Sequence, residues 1–306
     1  MPGVLSGLIP ACHTPFNRAG HLDLSVVTRQ AELYRETGTT GVFVGGTTGE
    51  WSSLTREERM ALCDRWTDVA GADLAIAVHV GHNCQADAIA LASHARESGA
   101  HAVAAVAPSY IKPATVADLV AFMEPIAAAA DPLPFFYYEI PGMTNVRLSA
   151  SAFLREGGPR MPNLRGLKFS HNDLVELQEC VAAEEQGFTT FFGFDEFLLA
   201  GQALGVGHAV GSTYNFAAGH YRAMTRAFAE GERRLAAHEQ LRAARMIQTL
   251  NRFGFMAASK AVMGLLGIDC GPVRPPLRNL SADELADLAS RLGTDDLFDR
   301  PLKRPR

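Results

Sequence analysis

The sequence is poor in lysine: of 28 basic residues among 306, only Lys112, Lys168, Lys260 and Lys303 are lysines. With 33 acidic residues the net charge is −5, so no positive excess exists to meet a phosphate backbone or an anionic lipid surface, and no nucleic-acid partner is expected. No apolar run approaches the roughly 18 residues that cross a bilayer. Met1-Pro2-Gly3-Val4 also lacks the charged and apolar regions of a secretion signal. The expectation is a soluble, cytoplasmic protein without a membrane partner. Cysteine is scarce and unpaired in pattern: Cys12, Cys63, Cys84, Cys180 and Cys270 are odd in number and never form Cys-x-x-Cys, which argues against a disulfide framework or a zinc knuckle. A Gly-x-Gly-x-x-Gly turn is missing too, which disfavours an open doubly wound sheet.

What the sequence does contain is alternation. Short apolar runs recur eight times between residues 5 and 225, separated by segments of helical period. The runs begin at Leu8, Gly41, Leu74, Ala102, Phe135, Leu164, Thr190 and His208, and helices are expected over Leu24–Thr37, Thr55–Ala70, Gln85–Ser98 and Ala114–Ala130. Thr55 with Glu58 three residues on reads as a capping box. Eight strand–helix units predict an α/β fold, a (β/α)₈ TIM barrel over residues 1–225. Residues 226–306 read as a helical C-terminal extension, with helices over Arg226–Phe253, Ala257–Leu266 and Ala282–Leu292, an appendage and not a second catalytic domain. The polar tail from Asp299 to Arg306 is expected to fray.

Chemistry in such barrels sits at the C-terminal ends of the strands, and four ends carry polar residues. Lys168 closes the sixth run between Leu167 and Phe169, where a surface charge gains nothing. An amine withdrawn from water there is a nucleophile toward ketones; a lysine reaching out to solvent, or paired with a carboxylate such as Asp195, fits equally well. The fifth run ends Tyr137-Tyr138-Glu139-Ile140-Pro141, and strand alternation sends one tyrosine into the barrel and the other toward the helices. A phenol beside a nitrogen can shuttle protons, or simply pack. The second run ends Gly45-Gly46-Thr47-Thr48-Gly49-Glu50, whose backbone N–H groups and hydroxyls suit a carboxylate or phosphate, or form a tight turn; no lysine follows, so it is not a Walker loop. Gly193-Phe194-Asp195-Glu196 could hold a metal or the hydroxyls of a sugar. His79 and His82, three apart on a strand, point to opposite faces and make a poor metal pair. No metal is expected.

Together, Gly46-Thr-Thr-Gly-Glu50, Tyr138-Glu-Ile-Pro141, Gly166-Leu-Lys-Phe-Ser170, Gly193-Phe-Asp-Glu196 and Gly211-Ser-Thr-Tyr-Asn215 resemble, in order and spacing, the pyruvate-dependent class I aldolase family that contains N-acetylneuraminate lyase and dihydrodipicolinate synthase. The stretches Ala107–Pro113 and Pro134–Pro141 are most similar to the N-acetylneuraminate lyase branch. Dihydrodipicolinate synthases carry an arginine two residues after the position of Pro141, where this chain has Met143; Asn145 departs from a usual glycine. The resemblance implies a barrel with a helical extension, a homotetramer, and no cofactor. It implies a Schiff base between Lys168 and a small-molecule 2-keto acid, Tyr138 and Thr47 in proton transfer, and Thr48 on the substrate carboxylate. It further implies sugar-tail contacts from Ser170, Gly193, Asp195, Glu196 and Ser212, and a hydroxyl lent by Tyr110 to a neighbouring subunit. The activity it implies is reversible cleavage of a 2-keto-3-deoxy sugar acid such as N-acetylneuraminate. Another pyruvate-dependent aldolase or dehydratase, or a non-catalytic sensor of a small acid, are the alternatives.

Overall fold

The computed structural model describes residues 5–293 and 296–303. Eight strands, β1 (Leu8–Pro10), β2 (Gly41–Val44), β3 (Ala75–His79), β4 (Ala102–Val106), β5 (Phe135–Glu139), β6 (Leu164–Phe169), β7 (Thr189–Phe192) and β8 (His208–Gly211), pair in parallel in the order β1-β8-β7-β6-β5-β4-β3-β2. The ring closes through a parallel bridge between Ala11 and Phe43, with Cys12 N–H donating to the Phe43 carbonyl at 2.9 Å. This is a (β/α)₈ barrel. The helices between strands are α1 (Val27–Glu36), α2 (Arg56–Ala70), α3 (Gln85–Glu97), α4 (Val116–Ala130), the short α5 (Pro141–Thr144), α6 (Ala150–Gly157), α7 (Leu174–Ala182) and α8 (Leu198–Ala203). Thr55 and Glu58 form the capping box that starts α2.

Two apolar layers follow from strand alternation. Ile9, Phe43, Ala77, Ala104, Phe136, Tyr138, Phe191 and Val210 fill the barrel, the alanines of β3 and β4 leaving room for the rings opposite. Outward residues such as Val42, Ile76, Val103, Tyr137 and Phe192 pack under the helices, each fully buried large side chain stabilising the fold by about 1.5–3 kcal/mol. One strand breaks the alternation. Phe135 pairs with Leu164 but Phe136 pairs with Gly166, so Arg165 is an extra residue in β6. Leu164 and Leu167, three apart, therefore share the outward layer. Gly166 sits at φ 144°, and a Cβ there would collide with the Thr189 carbonyl of β7, so glycine alone permits the strands to close at this point. The bulge turns Lys168 inward.

After β8 come α9 (Tyr214–Ala229), α10 (Arg233–Arg252), α11 (Phe255–Leu265) and α12 (Ala282–Leu292). The single helix expected over 226–253 is thus two. Gly231, at φ 84°, ends the first, its N–H bonding the Phe228 carbonyl at 3.1 Å and that of Glu232 the Ala227 carbonyl at 2.8 Å. The tail also departs from expectation. The Asp299 carboxylate accepts the N–H groups of Ala218 (3.0 Å) and Gly219 (2.7 Å), and Lys303 N–H bonds the Leu265 carbonyl at 2.8 Å, tying the chain down; residues 304–306 lie outside the described residues.

Candidate active site

The C-terminal mouth of the barrel opens into a cavity of about 390 Å³. Lys168 and Tyr138 are register partners on β6 and β5. The Lys168 Nζ lies 4.2 Å from the centre of the Tyr138 ring and 4.6 Å from that of Phe43, and the residue is buried. Among the described residues no carboxylate forms an ion pair with it; the pairing with Asp195 that the sequence allowed does not occur. The Tyr138 hydroxyl is 3.1 Å from Thr47 Oγ1. Tyr137 faces the helices against Phe153 instead.

The loop after β2 brings the two threonines to the same floor. Gly45 turns the chain at φ 65°, and Gly49 packs so tightly that a Cβ would meet Gly45 Cα at 3.0 Å and the Cys12 carbonyl at 3.1 Å. Glu50 N–H closes the turn on the Thr47 carbonyl at 3.0 Å. Thr48 Oγ1 meets Ser212 Oγ at 2.6 Å. Among the described residues the N–H groups of Thr47 and Thr48 donate to no protein acceptor, so both remain available to an anion.

Across the cavity, Ser170 is buried with its Oγ unpartnered. It occupies the space above Gly193, where a Cβ would collide with that Oγ and stand 2.9 Å from Lys168 Cε. Asp195 is buried; one of its oxygens accepts both the N–H (2.8 Å) and the hydroxyl (2.7 Å) of Thr213, leaving it only part of its capacity for a ligand. Burial pushes its carboxyl above the usual range, the Thr213 bonds opposing, and burial does the same to Glu196. Tyr110 lines none of this cavity: it is 86% exposed, beside the 83% exposed Ile111. Asn83 Oδ1 fixes its loop by accepting the N–H groups of Ser109 (2.7 Å) and Tyr110 (3.2 Å).

Sequence reasoning missed one wall. Ile247, Asn251, Phe255 and Met256, from α10 and α11, line the cavity, so the extension is part of the site and more than an appendage. Gly254, at φ 83°, turns the chain between the two helices, but nothing in the sequence marks the faces that reach the cavity. His79, which the sequence weighed only as a metal ligand, lies buried beside Tyr138. It faces the interior, its ring 5.7 Å from that of Tyr138, and burial, with the Arg59 charge second, holds its imidazole well below its usual range. His82 stands apart from it; a ring nitrogen of His82, Cys84 Sγ and an Asp87 oxygen lie within 4.8 Å of one another, with Asp87 also paired to Arg56 at 2.9 Å.

The model of the dihydrodipicolinate synthetase family matches residues 4–294. The chain belongs to that family. Relatives within the dihydrodipicolinate synthetase family include the N-acetylneuraminate lyase of Homo sapiens, 37% identical over 299 residues, 96% of this chain and 93% of that protein. That of Gallus gallus is 36% identical, over 94% of this chain and 95% of its own. Among solved structures, N-acetylneuraminate lyase from Proteus mirabilis superposes with a TM-score of 0.93 at 37% identity, covering 96% of this chain and 99% of that one. Dihydrodipicolinate synthase from Bacillus anthracis gives 0.89 at 28%, with 96% and 99% covered.

Proposed function

We propose that the protein is a Schiff-base aldolase that reversibly cleaves a 2-keto-3-deoxy sugar acid, with N-acetylneuraminate giving pyruvate and N-acetylmannosamine as the expected reaction. The observation that carries this reading is Lys168 Nζ, buried without an ion-pair partner among the described residues, over the ring of a tyrosine whose hydroxyl reaches Thr47. The kinship with N-acetylneuraminate lyases supports the choice of substrate.

In this mechanism the N–H groups and hydroxyls of Thr47 and Thr48 receive the keto-acid carboxylate and hold C2 over Lys168. The amine adds to C2 and loses water, and the protonated imine becomes an electron sink. Tyr138, bonded to Thr47, takes the proton of the C4 hydroxyl as the C3–C4 bond breaks. The aldehyde leaves, the enamine is protonated at C3, and water releases pyruvate. Ser170, Gly193, Asp195, Glu196 and Ser212 line the side on which the hydroxylated tail would lie; Ser170 Oγ, buried and unpaired, gains most from a hydroxyl there. Schiff-base chemistry of this kind calls for no cofactor. We assign the enzyme to the cytoplasm as a homotetramer, in which Tyr110 and Ile111 would be covered by a neighbouring copy and Tyr110 would join that copy's proton relay.

Pyruvate with borohydride tests the reading: a peptide containing Lys168 should gain the reduced adduct and turnover should stop. Label on Lys112 or Lys260, or none, would refute it. A substrate panel then fixes the branch. Met143, exposed at the cavity rim, offers no charge to a second carboxylate, so sugar-acid cleavage should exceed dihydrodipicolinate formation by at least roughly 10²-fold in kcat/KM.

A further inference from the structure

The loop that carries Thr47 and Thr48 is held from the C-terminal extension. Its last residue, Glu50, adopts the left-handed conformation (φ 54°, ψ 36°) although it is not glycine, a strain that persists only where surroundings enforce it. The enforcing contacts are buried. Glu50 Oε1 pairs with Lys260 Nζ of α11 at 2.7 Å, both side chains 2% exposed, and Oε2 accepts the N–H of Arg274 at 2.8 Å. Lys260 in turn donates to the Pro272 carbonyl at 2.8 Å and lies 4.2 Å over the Phe16 ring. Arg274 stacks on the same ring and grips Glu58, at the start of α2, with two bonds of 2.7 and 2.5 Å. Thr14 Oγ1 bonds the Gly49 carbonyl at 2.6 Å from the other side.

An apolar pair of equal volume would fill this space without desolvating two charges, and buried ion pairs are weak contributors to stability. What the pair can add is direction, because it anchors the last residue of the turn whose peptides present the N–H groups of Thr47 and Thr48. We propose that Glu50 and Lys260 are positioning residues for the 2-keto acid, the extension using their buried pair to hold the N–H groups of the threonine loop on the substrate carboxylate. This inference rests on the keto-acid reading above.

Glu50→Gln keeps the volume and removes the charge; Lys260→Met keeps the stem and removes the ammonium. Each is expected to raise by about 10-fold or more both the KM for pyruvate in the aldol direction and the pyruvate concentration giving half-maximal borohydride labelling of Lys168. Neither kcat nor maximal labelling should change by more than about 3-fold, because the reacting groups are untouched. The double variant should be no worse than the worse single variant, since both remove one interaction. A KM equal to that of the unsubstituted protein, or a loss confined to Tm and to the labelled fraction, overturns the inference. If Lys260→Met fails to fold, the nearly isosteric Glu50→Gln decides alone. Absence of labelling in the unsubstituted protein overturns the keto-acid reading and the inference with it; a labelled parent with unshifted variants overturns the inference only.

Discussion

Tyr138 and Tyr137 are adjacent, chemically identical and differently placed: one reaches Thr47 and the other packs on Phe153. Alternation alone separates them, and that alternation is legible in the sequence. Tyr138→Phe keeps the ring over Lys168 and removes only the hydroxyl, so turnover should fall by about 10²-fold or more with little change in melting temperature. The matching change at Tyr137 should leave turnover nearly intact; steady-state rates and thermal melts of both variants make the comparison. Asn145 is likewise a single-residue matter. It takes φ 52°, the left-handed region that asparagine tolerates better than most residues, so the turn after α5 survives the departure from glycine.

At the scale of elements, every strand begins within one residue of the apolar run that announces it, because parallel strands buried on both faces read as continuous hydrophobic stretches. The bulge at Arg165 is not legible: a one-residue insertion leaves composition untouched while it reverses the face of everything after it. Reading β6 by simple alternation from Leu164 puts Lys168 among the helices. The cavity wall from α10 and α11 is equally hidden, since Asn251 and Phe255 look like any helix end until tertiary packing brings them over the barrel. Within the site, packing between strand ends is tight enough to predict a steric effect. Gly193→Ala would drive a methyl into Ser170 Oγ and place it 2.9 Å from Lys168 Cε, so Ser170 must move and the lysine beside it must give way. Single-turnover imine trapping should slow by about 10²-fold, the scale on which misplacement of a reacting group is felt, while the far-ultraviolet circular dichroism spectrum stays unchanged.

For the whole molecule, the buried histidines contribute to the loss of stability on the acid side. Burial, with the charge of Lys260 second, pushes His13 from 6.5 down to about 3. Between those values the unfolded chain binds a proton that the folded one refuses, so this contribution is complete above pH 6.5 and lost as the pH falls toward 3. The slope from one such group approaches about 1.4 kcal/mol per pH unit. His13→Asn should therefore show a shallower loss of unfolding free energy between pH 6 and about 4 than the parent, measured by denaturant titration. Equal slopes would remove His13 from the account. The clamp on the threonine loop has a further consequence, in the order of synthesis. Glu50 and Arg274 are 224 positions apart, so on the ribosome the strands that carry Lys168 and Tyr138 emerge long before the residues that anchor the loop beside them. A nascent chain released early would hold Lys168 and Tyr138 beside a threonine loop whose distant anchor is missing, so on the reading proposed above the grip on the keto acid tightens only as translation nears its end.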